Sequence, residues 1–380
     1  MLLHCSIGSV YTFSLFVKPI SEYIGKSQGA VQFAFSLAIF FLGMSAAFCG
    51  KIVERDIHKS SLISCVCFCA GLMCTAFAIH AKSLFMLYLG YGTLMGIGLG
   101  IGYICPVKTL MLWFMDKRGL ATGISVCAFG FASAIASPII TFLLARVSLT
   151  STFMTLALMY FFPMIISHFL LKKPKWYTEE VRDNGFKVSS MWGDKKFRLV
   201  WFIIFINISC GLALISTASP IMAEKNISPK TIAIIVSIMG IFNGSGRLIF
   251  SALSDKMKNR TDIYFVILGL STIISIATAK FSSVNGLTYA ALIIISSCYG
   301  AGFSCLPSLL SDIYGMDNIS KIHGLSLSAW GIAGLVGNQI SNVVFRCFDS
   351  YENVFYVLFA LYYLAAWSVL RLRRLHKTIE

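Results

Sequence analysis

The sequence predicts an all-α integral membrane protein with twelve transmembrane helices in two parallel six-helix halves, and three observations carry that expectation. Of its 380 residues, 57% are hydrophobic and 12% charged, too little polar surface to coat a soluble globule. Apolar stretches of about 20 residues, the length a helix needs to cross a hydrocarbon core, recur with short polar joints between them. The chain also matches itself at a constant offset of 201 residues.

The apolar stretches run over 2–18, 29–49, 60–80, 84–112, 119–144, 150–171, 198–219, 230–251, 261–280, 285–312, 320–345 and 352–371. Lipid offers backbone groups no hydrogen-bond partner, so segments this long and apolar are expected to be helices. The first has no basic start and no small-residue cleavage pattern, and is read as a retained helix rather than a signal peptide. Nearly all twelve cysteines fall inside apolar stretches. The one-residue gaps of Cys65, Cys67 and Cys69 fit no zinc knuckle, so packing is their expected role and no metal or cofactor is called for.

Orientation is read from lysine and arginine. With an even helix count both termini share one side. That side carries twenty-one basic residues, eight of them between Lys172 and Arg198, against eight on the other side. The positive-inside rule therefore places both termini and the central joint in the cytoplasm of a cell membrane. The net charge of +15 is then a topology and lipid-surface signal, and nucleic acid is not an expected partner. The expected domains are a half over 1–171, a solvated linker over 172–197 and a half over 198–380, in a monomer.

The offset superposes Pro19 on Pro220, Gly43 on Gly244, Glu54 on Asp255, Pro106 on Pro307, Gly123 on Gly324 and Gly130 on Gly331 without gaps. Helix punctuators and loop charges in register over almost the whole chain mark a duplication of six helices. Because six is even, the copies share one orientation, and the halves are related by an axis along the membrane normal. Major facilitators have this arrangement, with a site between the halves that faces each side in turn as they rock.

Two loops support that likeness. Gly50-Lys51-Ile52-Val53-Glu54-Arg55 and its mate Ser251-Ala252-Leu253-Ser254-Asp255-Lys256 resemble the major facilitator loop signature. The resemblance implies that Glu54, Arg55, Asp255 and Lys256 bridge neighbouring helix ends and latch one state. It is partial, since Ile57 and Lys258 stand where the family has its second glycine. Gly92, Gly96, Gly98, Gly100 and Gly102 in the fourth stretch are read as close-packing positions, with no preceding strand or acidic partner that would make them a nucleotide site.

Arg247 lies inside the eighth stretch, where a cation costs at least a few kcal/mol unless paired. None of the sixteen acids sits deep in a stretch, so its expected counter-ion is a substrate; the competing reading is that it snorkels to water or binds carbonyl groups. Further resemblance points the same way. Tyr11-Thr12-Phe13-Ser14 with Pro19, Gly98-Leu99-Gly100-Ile101-Gly102-Tyr103 with Pro106, and Trp113-Phe114 before Asp116-Lys117-Arg118-Gly119-Leu120-Ala121-Thr122-Gly123 resemble the oxalate/formate antiporter family and the wider monocarboxylate porters. That resemblance implies a carboxylate bound by Arg247 within a cage of Tyr11, Gln32, Tyr103, Tyr299 and Trp330. A guanidinium fork can hold a carboxylate through two charge-assisted hydrogen bonds, with phenol and indole groups donating more.

Two departures shape the expectation. Ala333 occupies the position where the oxalate transporter has a second cation, and Asn243 stands where proton-coupled porters have an aspartate. The expected function is secondary transport of a small organic anion, a monocarboxylate such as formate, pyruvate or lactate, by exchange or facilitated flux. A transport-inactive sensor on the same fold is the alternative. An enzyme is not expected, because no metal cluster or nucleophile–base pair appears in the spans.

Overall fold

In the computed structural model, residues 1–174, 188–315 and 319–377 are described. They form twelve helical units. The first, α1, is broken into Leu2–Ile7, a tight turn of helix Gly8–Thr12, and Ser14–Ile24. The others are α2 Gln28–Arg55, α3 Ile57–His80, α4 Leu84–Trp113, α5 Arg118–Arg146 and α6 Leu149–Leu170, then α7 Lys195–Glu224, α8 Pro229–Lys256, α9 Thr261–Lys280, α10 Asn285–Tyr314, α11 Ile319–Phe348 and α12 Val354–Lys377. Ten of these, all but α1 and α11, are long and apolar enough by themselves to cross a membrane. The first span extends six residues beyond the end expected from hydropathy. It runs through Lys18 and Pro19 to Ile24 and stops at Gly25, whose φ of 72° suits a residue without a side chain.

The duplication is visible in the helix ends. The α2 and α8 boundaries differ by the repeat offset at both ends, as do those of α4 and α10. Local chemistry sets them: Ser27 and its mate Ser228 each accept a backbone N–H of the first turn, at Ala30 and Thr231. Asp56, Ser148 and Asp194 cap α3, α6 and α7 in the same way. The α4 glycines pack as expected. Gly96 and Gly100 press on α2 backbone, while Gly98 and Gly102 press on α3 at Phe68 and Ser64.

The halves meet along two crossed pairs, α2 with α11 and α5 with α8. At each crossing two glycines touch with bare backbone, Gly43 on Gly331 and Gly244 on Gly130. The repeat converts one pair into the other, so a single approximate two-fold axis passes between them. Large apolar side chains such as Phe48, Phe77, Phe162, Phe169 and Ile273, each more than half exposed, point outward all round. Only a hydrocarbon surrounding makes such a surface tolerable.

The ends of the bundle are distinguished below by the central linker, which enters α7 at one of them. At that linker end Asp255 of α8 accepts the Leu120 N–H at the start of α5 at 2.9 Å and Arg260 Nη1 at 2.6 Å, while Arg260 Nε reaches Asp312 at 2.8 Å. Any side chain on Gly119 would run into the Asp255 carboxylate. Thr122 Oγ1 donates across the same seam to the Ser304 carbonyl at 3.2 Å. Thus Asp255 joins the halves as the loop likeness implied, but its basic partner is Arg260; Lys256 is exposed. In the mate loop Arg55 is exposed and the Glu54 side chain lies outside the described residues, while Asp56 caps α3.

Candidate functional site

Arg247 sits midway along the apolar run of α8 with no exposed surface. One helical turn earlier, Asn243 accepts its Nε–H at 3.0 Å, and Nη1 donates across the seam to the Val126 carbonyl of α5 at 3.3 Å. Nη2 has no partner among the described residues, and no carboxylate among them pairs with the guanidinium. The charge therefore does not reach water at a helix end. It is held by one amide, one carbonyl and the faces of Phe129 and Phe303, 5.4 and 5.3 Å away.

Those two rings belong to a continuous aromatic wall. The Trp330 indole packs on Phe303 at 4.3 Å, Tyr103 at 5.2 Å and Phe129 at 5.9 Å. Tyr11 lies edge-on to Phe129, and its hydroxyl meets that of Tyr299 at 2.8 Å across the two halves. The phenols of Tyr11 and Tyr103 both stand beside the guanidinium. Trp330 Nε1 is buried and, like Arg247 Nη2, has no partner among the described residues. Buried donors without acceptors are uncommon, and two of them share this aromatic wall.

Four of the five cage residues expected around Arg247 are thus brought together: Tyr11, Tyr103, Tyr299 and Trp330. Gln32 is not among them. It is half-buried near the start of α2, eleven residues before Gly43, which at 1.5 Å per residue is about 16 Å up the helix. Ala333 is fully buried one turn beyond Trp330.

Three contributors were not anticipated from the sequence. Phe129 is the repeat mate of Trp330, a signal the offset itself contains, and Phe303 follows Tyr299 by one helical turn. His4 lies two turns before Tyr11 on the same face and is fully buried. Its Nδ1 lies 2.5 Å from the Ser125 carbonyl and its Nε2 2.9 Å from that of Tyr103, so it fastens α1 to both α4 and α5 behind the aromatic wall. The broken α1 places Tyr11 in the tight turn, where Ser9 and Thr12 hydroxyls bond back to carbonyls of Ser6 and Ser9.

The repeat builds the frame symmetrically and the site asymmetrically. Ala46 is the mate of Arg247, Gly98 of Tyr299, Ser304 of Tyr103 and Leu212 of Tyr11. One cation, three phenols and one indole thus surround a single locus on the axis between the halves. Chemically the locus suits one negative charge carried by a flat, two-oxygen group.

Comparison with known proteins agrees with this frame. The profile of the Major Facilitator Superfamily matches residues 1–338. The MFS-type transporter YhjX of Escherichia coli (strain K12) is 27% identical over 338 residues, covering 87% of this chain and 83% of its own. The oxalate:formate antiporter of Oxalobacter formigenes is 26% identical over 351 residues, 90% of this chain and 83% of its own. Among solved structures, the proton:xylose symporter XylE superposes with a TM-score of 0.80 at 14% identity, covering 97% of this chain and 93% of its own, a likeness of fold alone.

Proposed function

Because the chain belongs to the Major Facilitator Superfamily of transporters, we propose that it carries a small organic monoanion, a monocarboxylate first of all, with Arg247 as the cation that receives it. The observation that carries this reading is the buried guanidinium with an unpartnered Nη2, no carboxylate to balance it, and a ring of phenol and indole donors contributed by both halves. A carboxylate would supply the missing acceptor and the missing charge together. Similarity to an oxalate:formate antiporter supports an anionic substrate.

On this reading the halves over 1–171 and 198–380 rock about the two glycine crossings, where backbones touch and no side chains interlock. The present arrangement is closed at the linker end, which the excess of lysine and arginine assigns to the cytoplasm of a cell membrane. Substrate enters from the opposite face, neutralises Arg247 and draws the two halves together through Tyr11 and Tyr299. Opening to the cytoplasm then requires Asp255 to release Leu120 and Thr122 to release Ser304. With no carboxylate in the site to relay protons, exchange or facilitated flux is the expected mode.

The deciding experiment is counterflow of radiolabelled formate, pyruvate or lactate in proteoliposomes. Saturable flux that disappears in Arg247→Ala protein is the expected result. Binding of these anions without flux would instead identify a sensor on this fold, and absence of both would overturn the monocarboxylate reading.

A further inference from the structure

A second basic feature lies away from the Arg247 site. Where α7 begins and α12 ends at the linker end, Lys195, Arg198, Arg371 and Arg374 line an open cavity of about 460 Å³ whose remaining walls are Leu199 and Leu375. Among the described residues no acidic side chain lines it. The nearest acids in sequence are engaged elsewhere: Asp194 caps α7 and accepts the Tyr314 hydroxyl, and Asp262 pairs with Arg373 at 3.3 Å. Four like charges around one apolar-floored space repel one another, and an anion between them would relieve that repulsion.

The position of the cavity says which kind of anion. Its residues occupy the terminal turns of two spans, the depth at which lipid phosphates lie. Beneath it the guanidinium of Arg371 stacks on the Trp367 ring at 3.6 Å. From Trp367 the outward face of α12 continues through exposed Leu370, Leu364 and Tyr363. An interfacial tryptophan under a basic cluster, opening onto an apolar strip, complements a molecule with an anionic head and hydrocarbon tails. A free phosphate would use the cations but not the strip.

We propose that this cavity binds the headgroup of an anionic phospholipid, with its phosphate diester among Lys195, Arg198, Arg371 and Arg374 and its acyl chains along the Trp367 face of α12. Both helices belong to the same half, so the lipid ties the first and last helices of that half together without crossing the seam that opens during transport. Its binding is therefore independent of what Arg247 receives.

The test is native mass spectrometry of the purified full chain, titrated with phosphatidylglycerol or with phosphatidylcholine of the same acyl chains, for wild type, Arg198→Gln/Arg371→Gln and Arg198→Lys/Arg371→Lys. Wild type is expected to hold one phosphatidylglycerol that the glutamine variant binds about tenfold or more weakly, while the lysine variant keeps most of the affinity and phosphatidylcholine distinguishes none of them. Equal phosphatidylglycerol binding by wild type and the glutamine variant would overturn the proposal. So would phosphatidylcholine binding as tight as phosphatidylglycerol, or displacement of the lipid by millimolar inorganic phosphate, which would assign the cations to a soluble anion. A monodisperse elution profile of the lysine variant alongside weak binding by the glutamine variant separates loss of the site from loss of the fold.

Discussion

Replacing Arg247 with methionine separates its two possible roles, because the structure predicts opposite effects on transport and on stability. If the guanidinium fork holds a carboxylate, the substitution removes two charge-assisted hydrogen bonds of about 1.5–3 kcal/mol each. A loss of about 3–6 kcal/mol corresponds to a fall of roughly a hundredfold to ten-thousandfold in transport efficiency. Stability without substrate should move little or improve. The side chain makes only the bonds to Asn243 and Val126, whereas burying a charge costs several kcal/mol and methionine fills much the same volume. Substrate at about a hundred times its Kd stabilises a protein that binds it by about 2.7 kcal/mol, so it should raise the melting temperature of wild type and leave Arg247→Met unmoved. Arg247→Lys keeps the charge without the planar fork and should transport roughly ten- to a hundredfold below wild type. The assays are proteoliposome flux and thermal melting with and without substrate. Wild-type flux in Arg247→Met, or a variant much less stable than wild type before substrate is added, would refute the argument.

Further outcomes follow from other residues. With one buried arginine and Ala333 in place of a second cation, wild type should prefer a monocarboxylate to oxalate, and Ala333→Lys should shift competition towards oxalate by about tenfold, since it provides a partner for the second charge; preference of wild type for oxalate would contradict this. Asp255→Asn weakens the bonds to Leu120 and Arg260 and should speed amide hydrogen exchange at the start of α5 about tenfold or more at the linker end, so unchanged exchange there would deny Asp255 a latching role. At the opposite end Lys225 meets Glu352 at 2.6 Å and holds its carboxyl below the ordinary value of 4.5. A depressed pKa contributes stability above that value and loses it as pH falls through the folded pKa. Glu352→Gln should therefore melt lower than wild type at neutral pH, and the difference should vanish on acidification; a difference that persists in acid would point to packing instead of charge.

Much of the architecture was legible because it is written in one dimension. Span length and apolarity are local properties, and the offset of 201 residues reappears at both ends of α2 and α8 and of α4 and α10. Arg247 was legible for the same reason, as a charge in a run that otherwise excludes charge. Asp255 was found through the loop likeness, but its partner Arg260 was not, since a helix ending at Lys256 and a turn through Met257 and Lys258 bring the fifth residue onward, not the next, against the carboxylate.

The sequence by itself determined the membrane class, the twelve helices, the duplication and the presence of one buried cation without an acid. Tertiary structure alone decided which repeated glycines touch. Gly43 was known to match Gly244, yet its neighbour is Gly331, because the two-fold axis pairs each copy of one helix with the other helix of the opposite copy. It also decided the membership of the site, bringing Phe129, Phe303 and His4 to Arg247 and leaving Gln32 some three turns away. The physical reason is that hydropathy records how far a residue lies from water, while contact depends on the rotation of each helix about its axis and on where two bare backbones can approach. Both are set only when all twelve helices pack together.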